Sequence, residues 1–396
     1  MSTPPRLSVL FLAGELAPWK RGGIATVVRD LANALAGFDS VRVGLIGTLP
    51  HGSALPRDSY HPRVADYCVR TPSMPQPLRR IGIQSGYMTR FSQWLREDNG
   101  ESSVIHAHLL PGFRLFPVVL RALWAGCPFV QTIHDWPPME IPYYRQYRLL
   151  FRLHWWMAQR LLKRIPVMTV KSAFIRNYAS RKWPNHRIQV IPNAVADDSG
   201  FLSVPNPPEQ DPVRFLFWGE LYPKKGPLLL VKAAALLRAR HPDLAFRVVL
   251  AGGGPDYQRV QAAIEFERLA DRVELLGAVS HDHLLRLLAA AHVVTLPSAY
   301  EGFGMAILEA MLAGRPVITT GRGGAAEIVC DSRQGVLVDR TPEAFANAMA
   351  DLAHDPKRRR TIGIRARERA REFSWRSIAS QYLEVYASAA ARPRLT

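Results

Sequence analysis

Short apolar runs that alternate with longer helical patterns constrain the fold of this chain more than any other feature. Each run is rich in Val, Ile and Leu and is followed by glycine or polar residues. The runs are Leu7–Ala13, Val41–Ile46, Val104–His106, Phe129–Ile133, Val167–Val170, Gln189–Ile191, Arg214–Trp218, Phe246–Ala251, Val273–Leu276, Val293–Leu296, Pro316–Thr319 and Gly335–Val338. Strands that alternate with helices form parallel sheets that are buried on both faces. The sequence therefore predicts an α/β fold built from doubly wound, Rossmann-like sheets.

The chain is long enough for two such sheets. At 396 residues it exceeds what one hydrophobic core usually holds. Residues 197–212 contain four prolines and no periodicity, which is typical of a connecting segment. We therefore predict an N-terminal domain over 1–196, a linker over 197–212 and a C-terminal domain over 213–372. Sheets of this kind bind ligands at the carboxyl ends of their strands, so two facing domains would form a cleft.

Composition excludes several other classes of protein. With 48% hydrophobic and 21% charged residues, the chain is typical of a globular protein and not of a disordered one. No apolar stretch reaches the roughly 18 residues that cross a bilayer, and Leu7–Gly14 is predicted to be a buried strand and not a signal peptide. Cys68, Cys127 and Cys330 lack metal-site spacing. We therefore expect a cytoplasmic protein without a zinc site or a disulfide framework.

The net charge of +18 is concentrated in the first half of the chain, where residues 1–200 carry 25 Lys and Arg against 12 Asp and Glu. A basic half is typical of proteins that meet phosphorylated substrates, anionic lipid or nucleic acid. The chain has no zinc-finger, helix-turn-helix or RNA-binding signature, so we expect no nucleic-acid partner. A second basic stretch, Lys357–Arg371, is interpreted as the solvated face of a helix.

The segment 143–166 accounts for part of the positive charge and is predicted to form a basic amphipathic helix. Five of its cations follow helical spacing, Arg145, Arg148, Arg152, Arg160 and Lys163, with Leu150, Leu153, Met157 and Leu161 on another face. Together with Trp155 and Trp156, this pattern is typical of a helix that lies on an anionic membrane surface. Arg79, Arg80 and Arg90 could extend the same surface. The equally weighted alternative is a helix packed on the N-terminal sheet with its cations in water.

The segment Ser298–Gly314 carries the most specific chemical signal. The strand Val293–Leu296 precedes it, and a helix is predicted to begin near Gly304 and to end at Gly314. The first amides of a helix have no partner within the helix, and the helix dipole adds positive potential there. The groups concerned are the amides of Phe303, Gly304, Met305 and Ala306. We therefore predict that this turn binds an anion such as a phosphate.

Two carboxylates flank this anion site, Glu301 in the loop and Glu309 inside the helix. The helical rise separates them by roughly 9–12 Å. This span matches a sugar–diphosphate–ribose unit, with one acid at the sugar hydroxyls and the other at the ribose hydroxyls. The neighbours of Glu309 are apolar, so its carboxylate needs a polar partner. A salt-bridged surface position is the alternative for Glu309.

Two other loops contain glycines next to strands. The strand Arg214–Trp218 ends at Gly219 and leads to Lys225 at the start of the next helix. A lysine there could reach a diphosphate, and an ordinary surface lysine is the equal alternative. The first strand of the chain leads to Gly22 and Gly23, which allow a ligand to approach the backbone closely. Their spacing is not that of a dinucleotide-binding fold.

Histidines stand at the ends of two strands in the first half. His134 follows Phe129–Ile133 at the carboxyl end, where polar side chains of such folds contact ligands. A hydrogen-bonded structural histidine is the alternative. His106 and His108 on the preceding strand are expected to point to opposite faces of the sheet, which argues against a shared metal. No Asp-x-Asp pair ends a strand, and we expect no bound metal.

Taken together, these segments resemble the retaining GT-B glycosyltransferases of family 4, the group 1 type. The spacing of Glu301 and Glu309 is similar to the E-x7-E signature of that family, and Lys225 is similar to its donor-phosphate lysine. The other matches are the Gly22–Gly23 pair, VIPN at 190–193, VLAGGG at 249–254, which includes Gly253, and the C-terminal segment Phe373–Tyr386. The resemblance implies a GT-B fold in which a helix over 373–390 packs back on the N-terminal domain.

The resemblance also implies an activity. A hexose-type sugar would move from a nucleotide-sugar donor to a saccharide or lipid-linked acceptor, with retention of configuration and without metal or other cofactor. Glu301 would bind the donor sugar, Lys225 the diphosphate and Glu309 the ribose. His134 would contact the sugar near its anomeric carbon, and the Gly22–Gly23 pair would lie under the phosphates. The pathway would be bacterial surface-polysaccharide or lipopolysaccharide assembly, with the acceptor selected by loops such as 48–78 and 109–116.

One position departs from the family pattern. An arginine usually follows the glycine that ends the strand before the lysine, and this chain has Glu220 there. An acid beside a diphosphate is unfavourable, so we expect Glu220 to point away or Lys224 to compensate for it. Two alternatives remain open from the residues: a GT-B-fold sugar-nucleotide epimerase, and a degenerate glycosyltransferase that serves as a scaffold.

Overall fold

The computed structural model describes residues 7–18, 23–73, 75, 78–97, 103–109, 115–135, 148–209 and 212–391. The chain divides into two compact units. The first unit comprises Met1–Ala194 together with Trp375–Thr396, and the second comprises Val195–Ser374. Each unit is built around one parallel β-sheet, so the predicted α/β class is confirmed.

The first unit contains an eight-stranded sheet with the order β3-β2-β1-β5-β6-β7-β8, and β4 also pairs with β2. The strands are β1 Leu7–Glu15, β2 Val41–Leu49, β3 Val64–Asp66, β4 Val69–Arg70, β5 Ser103–Ala107, β6 Phe129–Ile133, β7 Val167–Val170 and β8 Arg187–Val190. The described pairs are parallel. The apolar side chains of β1 are buried on both faces, as parallel sheets require.

Helices cover this sheet and complete its core. They are α1 Gly23–Ala36, α2 Leu78–Glu97, α3 Phe116–Trp124, α4 Arg148–Leu162 and α5 Ala173–Lys182. Large side chains of α2, among them Tyr87, Phe91 and Trp94, are fully buried. Ser172 caps α5, since its hydroxyl accepts a hydrogen bond from the amide of Ile175.

The second unit contains a six-stranded parallel sheet with the order β11-β10-β9-β12-β13-β14. Its strands are β9 Val213–Trp218, β10 Phe246–Ala251, β11 Val273–Gly277, β12 Val293–Leu296, β13 Val317–Thr320 and β14 Val336–Val338. Its helices are α6 Pro227–Arg240, α7 Tyr257–Phe266, α8 His281–Ala290, α9 Met305–Leu312, α10 Ala325–Ile328, α11 Pro342–His354 and α12 Pro356–Ala370. Every apolar run predicted from the sequence overlaps a strand, and the short strands β3 and β4 were not predicted.

The last helix, α13 Trp375–Ala390, belongs to the first unit although it follows the second in the chain. It packs against α1 and against β5 and β6. Its tyrosines Tyr382 and Tyr386 are fully buried, and the Tyr386 hydroxyl lies 2.7 Å from Nδ1 of His106, which stands 280 positions earlier in the sequence. The C-terminal helix is therefore part of the core of the first unit.

The segment 197–212, expected to be a linker, is largely packed in its described part. Two short 3-10 turns, Asp197–Ser199 and Phe201–Ser203, replace the expected irregular chain. Phe201 and Val204 are buried in the core of the second unit. Carbonyl groups of the segment accept hydrogen bonds from the second unit, where Arg315 binds the Pro205 carbonyl and His292 Nε2 lies 2.7 Å from that of Pro208. The apolar residues Phe201 and Val204, which precede the first proline, explain the difference.

The basic stretch of α12 is also less solvated than expected. Arg359 is 9% exposed and donates to the carbonyls of Leu352 and Ala353. Arg367 donates to the carbonyls of Leu312 and Ala313, at 3.0 Å each. These carbonyls end α11 and α9, where the last turn of a helix leaves acceptors without partners. Two arginines of α12 therefore cap helices, and Arg358, Arg360 and Arg365 are exposed as expected. Across the described residues, no helix is both long and apolar enough to cross a membrane.

Candidate active site

Three loops of the second unit meet at the carboxyl edge of its sheet, because β9, β12 and β13 are neighbouring parallel strands. The amide of Ala299 after β12 donates to the carbonyl of Lys224 after β9, at 2.7 Å. The amide of Gly324 after β13 donates to the carbonyl of Glu301, at 2.8 Å. The loops that carry the predicted residues Lys225 and Glu301 are thus joined through their backbones.

Glycine is required where these loops approach each other most closely. Gly226 has φ +74°, and a Cβ there would lie 2.5 Å from the Pro297 carbonyl oxygen. Gly323 has φ +72°, and its Cβ would lie 2.3 Å from the Glu301 carbonyl oxygen. A side chain at either position would strain the backbone and collide with backbone atoms. The two glycines therefore allow the contact between Lys225 and Glu301.

Lys225 and Glu301 form a close ion pair. The Lys225 ammonium lies 2.6 Å and 2.8 Å from the two carboxylate oxygens, and the Ser298 hydroxyl donates to one of them at 2.6 Å. The side chains of Lys225 and Glu301 are 23% and 11% exposed. Both predicted residues therefore occupy one partly enclosed site, and each is the other's counter-ion.

The pKa of Glu301 is lowered from its ordinary value. Burial alone would raise the pKa, because it removes water from the carboxylate. The charge and hydrogen bonds of Lys225 and the hydroxyl of Ser298 outweigh burial, and Lys224 adds a further cation. Lys224 itself stands over the ring of Tyr300, 3.8 Å from its centroid. Glu301 is therefore an ionised acceptor of hydrogen bonds and is not suited to act as a proton-carrying acid at neutral pH.

The turn into α9 presents a row of amides. Gly304 caps the helix with φ +112°, and α9 begins at Met305, as the sequence predicts. In the described part of the chain, no backbone carbonyl accepts from the amides of Phe303, Gly304, Met305 or Ala306. The side chain of Phe303 is buried and packs edge-on against Phe373. The amides, the helix dipole and Lys225 together form a cradle suited to an anion.

Glu309 on α9 and the loop after β9 form the other end of this region. The Trp218 indole N–H donates to the Glu309 carboxylate at 3.2 Å, so the acid has the polar partner that its apolar neighbours require. Gly219 follows Trp218 with φ +144°, and a Cβ there would meet open space. The Leu221 amide donates to the carbonyl of Gly253, which ties the loops after β9 and β10 together. Gly219 and Gly253 thus lie in joined loops at the carboxyl edge.

Two arginines of this edge were not singled out from the sequence. Arg340 donates to the carbonyls of Pro297 and Pro223, at 3.0 Å and 2.8 Å, and so joins the loops after β12 and β9. Arg322 lies in the loop after β13, and its carbonyl accepts the amide of Glu301. Burial and the charge of Arg322 lower the pKa of Arg340. Glu220, which replaces the family's arginine, is exposed. A single sequence gives no signal for an arginine that, like Arg340, joins two loops through their backbone carbonyls.

His134 lies at the carboxyl edge of the sheet in the first unit, immediately after β6. Its Nε2 is 3.1 Å from Nδ1 of His108, and the two rings are 5.3 Å apart. The prediction that His106 and His108 point to opposite faces was wrong, because residues two apart on a strand share a face. Their rings lie 4.1 Å apart. Burial, the Lys171 ammonium and His108 lower the pKa of His134 well below its ordinary value.

Two further predictions concern the first unit, the Gly22–Gly23 pair and the basic helix. Gly23 is the exposed first residue of α1, and Gly22 lies outside the described residues. Within the predicted basic helix, Arg145 lies outside them too, and α4 presents Leu153 and Trp156 at 47% and 54% exposure. The Arg160 guanidinium stacks over Trp156 at 4.7 Å.

An open cavity of about 620 Å³ at the carboxyl ends of β1 and β2 is lined by Glu15, Thr48, His51, Ser73 and Arg79, among others.

Comparison with protein families matches nearly the whole chain. The family described as Glycosyl transferases group 1 matches residues 200–369, and Glycosyltransferase Family 4 matches residues 21–199. The two matches adjoin, and the anion cradle and the His134 edge lie inside them. The chain therefore belongs to the family 4, group 1 glycosyltransferases.

Curated relatives match part of the chain. The D-inositol 3-phosphate glycosyltransferase of Corynebacterium urealyticum is 36% identical over 184 residues, which are 45% of this chain and 43% of that protein. The protein of the same name from Salinispora tropica is 39% identical over 186 residues, 45% of this chain and 39% of that protein. The chain thus spans less than half the length of these relatives.

Solved structures match over almost the full length. Sucrose-phosphate synthase from Thermosynechococcus elongatus has a TM-score of 0.73 at 22% identity and covers 97% of this chain and 99% of its own. Anabaena HepE in complex with UDP and glucose has a TM-score of 0.69 at 21% identity, with 96% and 99% covered. WaaG, a glycosyltransferase involved in lipopolysaccharide biosynthesis, has a TM-score of 0.67 at 16% identity, with 96% and 99% covered. These similarities show the GT-B fold.

Proposed function

We propose that the protein is a retaining glycosyltransferase that moves a hexose-type sugar from a nucleotide-sugar donor to a saccharide acceptor. The single observation that carries the proposal is the anion cradle of the second unit, where Lys225 and the open amides of Phe303–Ala306 flank the ionised Glu301. Fixed donors aimed at a phosphate stabilise the negative charge that develops on a leaving nucleoside diphosphate. The complex of HepE with UDP and glucose supports a donor of this chemical class.

Donor binding would rearrange the ion pair of the free protein. Lys225 would turn from Glu301 to the diphosphate, and the carboxylate of Glu301 would then accept hydrogen bonds from hydroxyls of the donor sugar. Glu309, held by Trp218, would accept from the ribose hydroxyls. Gly219 and Gly253, where an added Cβ would meet open space or only an ordinary contact, would leave backbone accessible to the nucleotide. Because Lys225 and the amides would supply the compensating charge, we propose a reaction that needs neither a metal nor another cofactor.

The acceptor would bind in the first unit. The cavity at the ends of β1 and β2 is lined by hydroxyls, a carboxylate and a guanidinium, which suit a saccharide. By analogy with the family, His134 would contact the donor sugar near its anomeric carbon, and the Gly22–Gly23 pair would lie under the phosphates. The acceptor would be a lipid-linked saccharide of bacterial surface-polysaccharide or lipopolysaccharide assembly, as the lipopolysaccharide role of WaaG supports.

A thermal-shift panel of UDP-, GDP- and ADP-sugars tests the proposed donor class. A ligand at 100 times its dissociation constant adds about 2.7 kcal/mol to the free energy of unfolding. We expect one nucleotide class to stabilise the wild type and to lose that effect in Glu301→Gln. Glu343→Gln removes an exposed carboxylate of α11 and is the matched control. If no nucleotide sugar stabilises the wild type, the proposed function fails.

The stereochemistry and the metal requirement are tested with the donor that the panel identifies. Proton NMR of the first-formed product should show the anomeric configuration of the donor. Activity should persist in excess EDTA and should not rise when Mg²⁺ or Mn²⁺ is added. An inverted product would contradict the retaining mechanism. Free sugar released at the same rate with and without acceptor saccharides would contradict transfer.

We further propose that α4 attaches the protein to the cytoplasmic face of the cell membrane. The exposed Trp156, Leu153 and Arg160 combine apolar surface with positive charge, which suits a bilayer of anionic lipid. Vesicles of phosphatidylglycerol at low salt should retain the protein, and phosphatidylcholine vesicles should not. Trp156→Ser with Arg160→Ala should release it. Ile364→Ser with Arg365→Ala removes a similar exposed pair from α12 and should not, and equal loss in both variants would contradict the proposal.

A further inference from the structure

Three neighbouring strands of the first unit carry pairs of polar residues on one face of the sheet. The inner row is His106, Thr132 and Thr169, within β5, β6 and β7. The outer row is His108, His134 and Lys171, each two residues later. Residues two apart share a face, and the register of β6 with β7 sets Thr132 opposite Thr169. The two rows therefore lie side by side at the carboxyl edge.

The inner row is fully hydrogen-bonded. His106 Nε2 lies 2.6 Å from the Thr132 hydroxyl, which lies 2.5 Å from that of Thr169. His106 Nδ1 lies 2.7 Å from the Tyr386 hydroxyl. The Tyr382 hydroxyl closes the row from α13, at 3.4 Å from Thr132 and 3.5 Å from Thr169. This network fixes β5, β6 and α13 relative to one another beneath the outer row.

The outer row is only partly bonded. His108 Nδ1 is 3.1 Å from His134 Nε2, and His108 Nε2 is buried with no partner among the described residues. Lys171 is 1% exposed, and the hydroxyl of Tyr382, at 2.9 Å, is its hydrogen-bond partner. Across the described residues, no carboxylate lies within ion-pair distance of Lys171. The edge therefore combines a buried cation with two histidines that share one hydrogen bond.

The unpartnered nitrogen decides which histidine donates. If His134 donated from Nε2, neutral His108 would carry its own proton on Nε2, as a buried N–H without an acceptor. If His108 donates from Nδ1, its Nε2 is a buried acceptor without a donor. Orphaned N–H groups are rarer than under-satisfied acceptors in folded proteins. Burial and the Lys171 ammonium lower the pKa of both histidines, so neither is an imidazolium at neutral pH.

We propose that His108 is a positioning residue whose Nδ1–H holds His134 as the tautomer protonated on Nδ1. His134 then presents an N–H donor, and not a basic lone pair, to an oxygen of the substrate. No described residue accepts a hydrogen bond from His134 Nδ1, so this proton is available to a ligand. That the ligand oxygen belongs to a donor sugar or phosphate rests on the proposed function; the tautomer does not.

The tautomer is measured directly on the full-length protein. Nitrogen-15 NMR with labelled histidine distinguishes protonated from bare ring nitrogens, and His134→Gln identifies the signals of His134. We expect His134 to be protonated on Nδ1 at pH 7 in the wild type and in His108→Asn, because the Asn amide can also donate to Nε2. In His108→Asp the carboxylate only accepts, so the proton should move to Nε2. A wild-type His134 protonated on Nε2, or on both nitrogens, would overturn the proposal.

Turnover gives a second readout that a purely structural role would not move. With UDP-glucose as the probe, or another donor identified by the thermal-shift panel, His108→Asp should lower kcat about tenfold and His108→Asn less than threefold. His108→Asp should also make kcat depend on pH, because its negative charge counteracts that of the Lys171 ammonium and raises the pKa of His134, while the neighbouring His106 is unprotonated and adds no charge. The hydroxyls of Tyr382 and Tyr386 face the same cluster, burial raises the pKa of the Tyr386 hydroxyl, and Asp135 adjoins His134 in every variant.

The two proposals fail separately. If His134 has the expected tautomer but no nucleotide sugar binds, the tautomer stands and the proposed function falls. If a donor is turned over while wild-type His134 is protonated on Nε2, the positioning role of His108 falls. Should His108→Asp not fold, the wild-type spectrum and His108→Asn still decide the question. Equal loss of turnover in His108→Asn and His108→Asp, with unchanged tautomers, would also contradict the proposal.

Discussion

Both sheets are built from parallel strands, but the carboxyl edges of the two sheets differ in their electrostatics. In the second unit, Lys225 and Glu301 form an ion pair beside amides that have no backbone partner among the residues the structure describes. In the first unit, His108 and His134 are neutral, and Lys171 is buried beside a tyrosine hydroxyl. At the edge of the second unit, a doubly charged anion can replace Glu301 as the counter-ion of Lys225. The edge of the first unit holds fixed hydrogen-bond donors, and the lowered pKa of its histidines opposes further protonation.

The two edges also differ in how they are held. Positive-φ glycines and backbone bonds between loops support the edge of the second unit, as Gly226 and Gly323 illustrate. Side chains from a helix at the far end of the chain support the edge of the first unit, through Tyr382 and Tyr386. Charge should therefore govern ligand binding at one edge, and hydrogen-bond geometry should govern it at the other. The following experiments test this difference.

Replacing Lys225 should have the largest effect on ligand binding. One unit charge at about 4 Å, in an effective dielectric near 20, interacts with roughly 4 kcal/mol before desolvation costs. We expect Lys225→Met to raise the dissociation constant of a nucleotide diphosphate such as UDP by about 100-fold, measured by calorimetry at fixed salt. Lys224→Met, whose ammonium stands over Tyr300, should raise it only a few-fold. Unchanged affinity in Lys225→Met would remove the basis for the anion cradle.

Replacing Gly226 tests whether glycine is needed to bring the loops together. Alanine there must adopt φ +74° and place its Cβ against the Pro297 carbonyl. We expect Gly226→Ala to lower the free energy of unfolding by about 1–3 kcal/mol. Gly253→Ala is the control, because the nearest atom to its Cβ would be 3.8 Å away and its φ is ordinary. Similar midpoints for both variants in urea denaturation would contradict this account.

Much of the second unit could be predicted from the sequence because its signals are local. The strand ending before Pro297, Glu301 in the loop and the helix from Met305 follow one another within a short segment, and the structure agrees with each. That Lys225 would pair with Glu301 was not predicted, because the two lie 76 positions apart. Their proximity follows from the order of β9 and β12 in the sheet, which local patterns do not encode.

The first unit was less predictable for the same physical reason. His134 was identified from its place after a strand, whereas Lys171 and the tyrosines of α13 were not. The bond between His106 and Tyr386 spans 280 positions. The prolines of 197–212 indicated a linker, and the buried Phe201, which precedes them in the same segment, decided its packing. Apolar residues inside a proline-rich segment are the signal that could have corrected this prediction.

The pH dependence of stability tests whether the buried histidines of the first unit are unprotonated in the folded protein. Burial, together with His108, the Lys171 ammonium and His134, lowers the pKa of His106 well below its ordinary value. Below about pH 6.5 the unfolded chain therefore binds a proton that the folded chain does not, and stability falls as the pH falls. Each such histidine contributes a slope of up to about 1.4 kcal/mol per pH unit between roughly pH 6.5 and 5. Urea denaturation at several pH values measures the slope.

His106→Gln should reduce this slope by up to about 1.4 kcal/mol per pH unit, the contribution of one proton. Tyr386→Phe keeps the histidine and should retain the slope. Both variants remove a hydrogen bond of the inner row, so both should lose some stability at every pH. The test is therefore the pH slope and not the stability at one pH. Equal slopes in the wild type and in His106→Gln would show that His106 is already protonated in the folded state. In that case the neutral character of the first edge would be lost.

Replacing Glu220 should have the smallest effect and tests the departure from the family pattern. Glu220 is exposed after Gly219, at the edge where the family has an arginine. Exposed charges interact weakly because water and salt screen them. We expect Glu220→Arg to tighten the binding of UDP about two- to fivefold at low salt, and Glu220→Gln to act in the same direction by less. If Glu220→Arg weakens binding, the glutamate contacts the ligand directly, and the cradle of the second unit selects its donor through an acid that the family does not have.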